Sequence, residues 1–210
     1  MRKLVLWLPV VALVLTAASL SDAHPLPAAP RCEIFPPNNP WNQRVDRLPV
    51  AKDSARLIAS IGLHNPVHPD FGTVYNGAPN GIPFAVVSAH TRKVPVHFQY
   101  ADESDRGPYP LPPNVPIEGG RGSNGDRHVI VIDRNSCRDY ELFSAYPHNQ
   151  GRSWTAGSGA IFNLTSNHLR PAAWTSADAA GLPILPGLAR YDEVARGVID
   201  HALRFTARCT

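Results

Sequence analysis

The sequence predicts a mainly β protein: a single-domain antiparallel β-sandwich or jelly-roll-like fold with two or three short helices. Two observations lead there. Short apolar segments recur along the chain, each bounded by Gly, Pro, Asn or Asp, and helical spacing is confined to a few brief stretches. No internal repeat and no second core-forming region interrupts this pattern, so one domain is expected.

Residues 1–23 carry the marks of a secretory signal peptide. Arg2 and Lys3 give a basic start, Leu4 to Leu15 is apolar but for Pro9, and Ser21-Asp22-Ala23 fits the small-x-small cleavage pattern, with Ala18 as a second possible cut. The run falls short of the roughly 20 apolar residues of a membrane span, and no later stretch comes closer. The expectation is a secreted protein, extracellular or in the cell envelope, with no span in its mature chain.

Residues 24–40 are proline-rich and read as an extended leader, since proline lacks the N–H that helices and central strands need. The domain proper is placed at 41–210, with Trp41 anchoring the leader's end. A helix is expected near 53–61, where Leu57, Ile58 and Ile61 make a stripe, Asp53 or Ser54 is placed to cap and Gly62 stops it. Residues 82–87 and 94–100 read as strands, with Val94, Val96 and Phe98 on one face. The stretch 101–127 is irregular, rich in acids and prolines, and long for a compact domain. It leads into His128-Val-Ile-Val-Ile-Asp133, the most apolar segment and the expected sheet centre. Arg134 to Arg138 turns the chain into a returning strand, 140–145, making a hairpin. Another strand is expected at 157–164 and a helical turn or two at 174–181, capped by Thr175. A short helix at 191–196 and a last strand at 199–206 complete the chain.

Net charge is +3 over the whole chain, and loss of Arg2, Lys3 and Asp22 with the leader peptide brings it closer to neutral. That excludes a nucleic-acid binder held by phosphate contacts. The three cysteines, Cys32, Cys137 and Cys209, imply one disulfide in an oxidising compartment. Cys32 and Cys209 are the candidate pair because they flank the domain, and Cys137 in its turn could take either partner.

The nine histidines are scattered, without H-E-x-x-H or paired C-x-x-C spacing. His64 and His68 are separated by a helix-breaking Asn65-Pro66. His24, exposed by cleavage after Ala23, could form a copper-binding amino-terminal brace, yet no strand follows to hold one. No metal or cofactor is therefore expected. Carboxylates are better candidates. Glu118 and Asp126 lie in the long loop entering the central strand and His128 opens that strand, so carboxylate and imidazole together could act as acid and base on a sugar. Tyr109 and Trp154 are candidate stacking platforms for the same substrate, with Trp41, Trp174 and Tyr191 as further aromatics. Asp102, Glu103 and Asp105 read as a solvated loop rather than a calcium site. Asp178 and Asp192 read as caps, and His201, in phase with Leu203 and Phe205, as a hydrogen-bonded core histidine.

The blocks Phe35-Pro-Pro-Asn-Asn-Pro-Trp-Asn42, Tyr100-Ala-Asp-Glu-Ser-Asp105, Gly125-Asp-Arg-His-Val-Ile-Val-Ile-Asp133, Ala156-Gly-Ser-Gly-Ala-Ile-Phe162, the stretch 174–187 and His201-Ala-Leu-Arg-Phe-Thr206 resemble a group of uncharacterised secreted microbial proteins. The resemblance spans about 35–206 and implies a secreted single domain, in a group whose members often continue past the position of Thr206. It brings no catalytic residues. The reading is a secreted carbohydrate-active protein, a glycoside hydrolase or polysaccharide lyase acting through Glu118, Asp126 and His128 on a polysaccharide or cell-wall glycan. The alternatives are a non-catalytic glycan- or cell-wall-binding module and a structural envelope protein.

Overall fold

The computed structural model describes residues 25–66, 72, 74–75 and 77–206, so the signal-peptide segment, His24, His68 and Cys209 lie outside the described residues. The elements in chain order are α1 (Ser54–Ile61), β1 (Val74–Tyr75), β2 (Ala78–Pro79), β3 (Phe84–Val87), β4 (Val96–Phe98), β5 (Val129–Asp133), β6 (Arg138–Phe143), β7 (Tyr146–His148), β8 (Ser153–Ala156), β9 (Ser158–Asn163) and α2 (Tyr191–Arg196). The domain is β-dominated with two short α-helices, as the sequence implies. Among the described residues no helix is long and apolar enough to cross a membrane.

Two sheets organise it. One has the order β3-β5-β6-β9 and the other β4-β8-β7, with β1 and β2 as a separate pair. All five residues of β5 are buried, as its unbroken Val-Ile-Val-Ile run requires of a strand covered on both faces. The β5–β6 hairpin forms in antiparallel register, Asp133 facing Arg138. The sheets are mixed, not purely antiparallel: β3 runs parallel to β5, and β4 parallel to β8. A long excursion separates the members of each pair, which gives the chain room to cross over and return in the same direction.

The faces of the larger sheet pack into two cores. Val129, Val131, Tyr140 and Leu142 meet Val94, Tyr109, Leu111, Trp154 and Ala156, so both sheets feed this cluster. On the other face Ile130, Ile132, Ala160 and Phe162 meet Leu26, Ala29, Cys32, Ile34 and Phe35 of the leader together with Ile184 and Leu185. The leader is not extended: Ala29 N–H bonds Leu26 O and Cys32 N–H bonds Ala29 O, a succession of turns whose apolar side chains close the sheet's second face. Cys32 is bonded to Cys137. The bridge therefore runs from the leader to the hairpin turn, not to Cys209, because the leader crosses the sheet beside that turn.

Three local expectations are corrected. Residues 174–181 form turns without a helix. There the Ser176 hydroxyl donates to the Leu182 carbonyl at 2.6 Å and Asp178 accepts from the Ala180 N–H at 2.8 Å, local bonds that compete with a helical ladder. Residues 199–206 form no strand. Their backbone makes isolated bonds instead, Ala202 N–H to Trp41 O and Arg204 N–H to Gly187 O. Asp53 does not cap α1 but pairs with Arg56 at 3.3 Å. The α1 stripe stays half-exposed at Leu57 (48%) and Ile58 (50%), so this helix adds nothing to either core.

The 101–127 excursion is held by Arg127. Its guanidinium donates to Ala145 O at 3.1 Å, Arg121 O at 2.8 Å and Ser123 O at 2.7 Å, and stacks on the Tyr146 ring at 4.2 Å. One buried side chain satisfies carbonyls that irregular backbone would otherwise leave to water.

Removing the cross-link by Cys137→Ser should lower stability by about 2–5 kcal/mol, because the bridge closes a long loop in the unfolded chain. The check is a chemical-denaturation midpoint for wild type and variant, and equal midpoints would contradict the pairing.

Candidate functional site

Glu118, Asp126 and His128 do come together. The loop's return and the opening of β5 lie side by side: Glu118 N–H donates to His128 O at 3.0 Å, and His128 N–H donates to the Glu118 carboxylate at 3.2 Å. Asp126 Oδ2 stands 4.0 Å from His128 Nε2. The imidazole is confined, however. Its Nδ1 lies 3.3 Å from Leu142 O, which requires a proton on that nitrogen, and its ring packs against Phe143 at 5.8 Å. Only 9% of the His128 side chain is exposed, against 71% for Asp126. Glu118 spends an oxygen on backbone. The trio brings two carboxylates beside one imidazole, with the imidazole closed off.

Tyr109 and Trp154 are not platforms. Both are 0% exposed, inside the core shared by the two sheets. Tyr109 meets Phe98 and Tyr140 edge-on and donates its hydroxyl to Asp105 O at 2.7 Å. Neither ring offers a face to a sugar, because the alternation that places them on their segments directs them inward.

The acids read as a solvated run include two with structural duties. Arg170 pairs with Asp105 and donates to Glu103 O at 2.8 Å, while the Glu103 carboxylate accepts the Thr175 N–H at 3.0 Å. Asp178 pairs with Arg204 in addition to closing its own turn. No group of three or more His, Cys, Asp or Glu among the described residues is arranged to hold a metal ion.

Sequence reasoning missed a buried pair beside His128. Asp139 and Glu141 both have 0% exposure and share the face of β6 toward the leader. Alternate acids on a strand read as a solvent face, and here that face is covered. Glu141 accepts the Ile184 N–H at 2.8 Å and the Leu185 N–H at 2.8 Å. Asp139 has no hydrogen-bond donor on either oxygen. Burial, then the Glu141 charge, drives its carboxyl well above the usual carboxylate range. Burial also raises Glu141, but Asp139, the two backbone N–H groups and His128 pull the other way. Both carboxyls are thus pushed upward, Asp139 without the backbone donors that Glu141 has.

Near the carboxyl-terminal segment, His201 Nε2 lies 3.1 Å from Glu193, which also pairs with Arg190 at 2.6 Å. This is the hydrogen-bonded histidine that its strand parity suggested, although no strand forms. Burial disfavours the imidazolium, yet the Glu193 and Ala202 bonds outweigh burial and raise the His201 pKa. Burial likewise opposes the Glu193 charge, and His201 and Arg190 overcome it and lower that pKa. The adjoining cavity, between Asn42, Pro186 and this cluster, measures about 10 Å³, room for one water at most.

The larger concavity is elsewhere. An open groove of about 500 Å³ has buried Val94 and Leu111 along its base, and it is lined further by Thr91 and Arg92, by Pro112 and Pro113, and by Gln150, Gly151 and Arg152. Three segments distant in sequence converge there. Val94 and Tyr109 exchange backbone bonds of 2.8 and 3.0 Å, joining the first two. The third turns sharply, with positive φ at Asn149 (51°), Gln150 (59°) and Gly151 (80°). A Cβ at Gly151 would stand 2.8 Å from Pro113 Cα, so glycine is needed both for the turn and for its seat against the proline. Asn149-Gln150-Gly151 and Pro112-Pro113 are turn signals visible in sequence, but nothing there pairs them. Comparison with protein-family models, curated proteins and solved structures finds no match to this chain.

Two titrations follow. Asp139 holds a proton that the unfolded chain has released, so its contribution to stability is complete below the ordinary 3.8 and is lost as pH rises through the raised native value. Asp139→Asn should remove that alkaline loss, visible as a flatter plot of unfolding free energy against pH. The His201 imidazole should titrate above 6.5 by NMR in wild type and shift down in Glu193→Gln, and an unshifted value would contradict the pair.

Proposed function

We propose that this chain is a secreted, non-catalytic glycan-binding module that holds its ligand in the groove beneath Arg92 and Arg152. One observation carries the reading: this open groove of about 500 Å³ is lined by hydrogen-bonding side chains and none of its lining residues is acidic. Its volume falls in the range of ordinary ligand sites. Thr91 and Gln150 can exchange hydrogen bonds with hydroxyls, and the faces of Pro112 and Pro113 suit the apolar faces of sugar rings. Hydrolysis or elimination would need an acid and a base at the bound substrate, and the groove supplies neither. The signal-like leader of the sequence and the Cys32–Cys137 bridge support export to an oxidising compartment.

A second reading, a glycoside hydrolase or polysaccharide lyase, draws on the meeting of Glu118, Asp126 and His128. In neutral His128 the Nδ1 proton goes to Leu142 O, leaving Nε2 as base toward Asp126. The burial of the ring weighs against it.

Affinity electrophoresis of the full chain through gels containing different polysaccharides tests the choice. Retardation by at least one glycan is expected, lost in Thr91→Trp, which fills the groove. Release of sugar products in parallel incubations, abolished by His128→Gln, would overturn the binding reading in favour of the enzymatic one.

A further inference from the structure

Resting on the groove as the glycan site, we propose that its ligand is an anionic polysaccharide, with Arg92 and Arg152 gripping the carboxylate, sulfate or phosphate groups along the polymer. Several arginines of this domain are committed: Arg127 is spent on loop carbonyls, Arg170 on Asp105 and Glu103, and Arg204 on Asp178. Arg92 and Arg152 are different. Both are exposed at the groove, and neither guanidinium has a hydrogen bond or ion pair with any described residue. A guanidinium presents a planar fork of donors that matches an oxyanion in two parallel bonds, and such charge-assisted bonds exceed neutral ones in strength.

The surroundings favour the same ligand chemistry. With no carboxylate among the lining residues, nothing in the groove competes for the two cations or repels an incoming anion. Val94 and Leu111, each 2% exposed, belong to the core beneath the groove. The two arginines come from separate turns, and both turns are fixed. Thr91 N–H bonds Ser88 O at 2.9 Å, Arg152 N–H bonds Asn149 O at 3.2 Å, and Arg121 anchors the intervening proline wall through Pro113 O. Two cations carried on separate turns can each meet one charge of a polymer that repeats its charge.

The full chain, its Arg92→Gln and Arg152→Gln variants, the double variant and Arg92→Lys are run in gels containing polygalacturonate, dextran sulfate or neutral dextran. Because both side chains are exposed, thermal melting of all variants should match wild type, which separates lost binding from lost folding. The proposal expects retardation by polygalacturonate, by dextran sulfate or by both. Each Gln substitution should weaken it by about tenfold, the double variant should abolish it, and Arg92→Lys should keep part of it. Rising salt should weaken it as well. Retardation by polygalacturonate alone assigns the carboxylate, and by dextran sulfate alone the sulfate-type anion. Polyanion binding unchanged in the double variant would overturn the assignment to these arginines. Retardation by neutral dextran alone, indifferent to the arginines but lost in Thr91→Trp, would overturn the anionic ligand and leave the groove reading standing. No retardation by any polymer would overturn both.

Discussion

Burying a carboxyl group in the middle of an apolar layer is costly unless it is hydrogen-bonded, and Glu141 is buried with both faces of its sheet covered. The cost is met by donors that come from far along the chain, the backbone N–H groups of Ile184 and Leu185. Because those two residues also contribute side chains to the core on the leader side, one carboxylate fixes the segment that closes that face. The leader then has a surface to lie on, and Leu26, Ile34 and Phe35 complete the layer. Without the Glu141 anchor the sheet's buried face would be open to water, and the leader would have no bed.

The opposite face obeys a different constraint. It is closed by a second sheet and by the returning stretch 109–117, whose Tyr109, Leu111, Val115 and Ile117 are buried. The path of that stretch is governed at its far end by Arg127, which gathers the loop carbonyls beside the entry to β5. Its near end is governed by the bridge between Val94 and Tyr109. Between the two, Pro112 and Pro113 stand at the surface against the 149–152 turn. The groove is therefore a by-product of how the core on this side is roofed, and its shape is inherited from backbone held at both ends.

Much of the fold was legible because local pattern and tertiary demand agree. The unbroken apolar run of β5 forced a doubly covered strand, the polar turn after it forced a hairpin, and Tyr191 to Arg196 carried acids at its start and glycine at its end. Legibility failed where the deciding partner was remote. Asp139 and Glu141 alternate with Tyr140 and Leu142 as an outward face would, and only the leader and the 184–185 segment make that face inward. Tyr109 and Trp154 have the composition of a sugar platform, but their rings fill space between sheets. The Glu118–His128 contact was within reach of sequence because both residues flank one loop, whereas the groove draws on three stretches that no spacing relates.

The Cys32–Cys137 bond also sets how the molecule bears load. Tension arriving from upstream of Cys32 passes through the sulfurs directly to the tip of the β5–β6 hairpin, and everything from Glu33 to Ser136 is bypassed. Two walls of the groove lie inside that shielded span, since Thr91, Arg92, Pro112 and Pro113 all fall between the two cysteines. A domain tethered by its proline-rich end could thus be tugged without those walls being drawn out, the strain falling first on the hairpin and on the strand beside it.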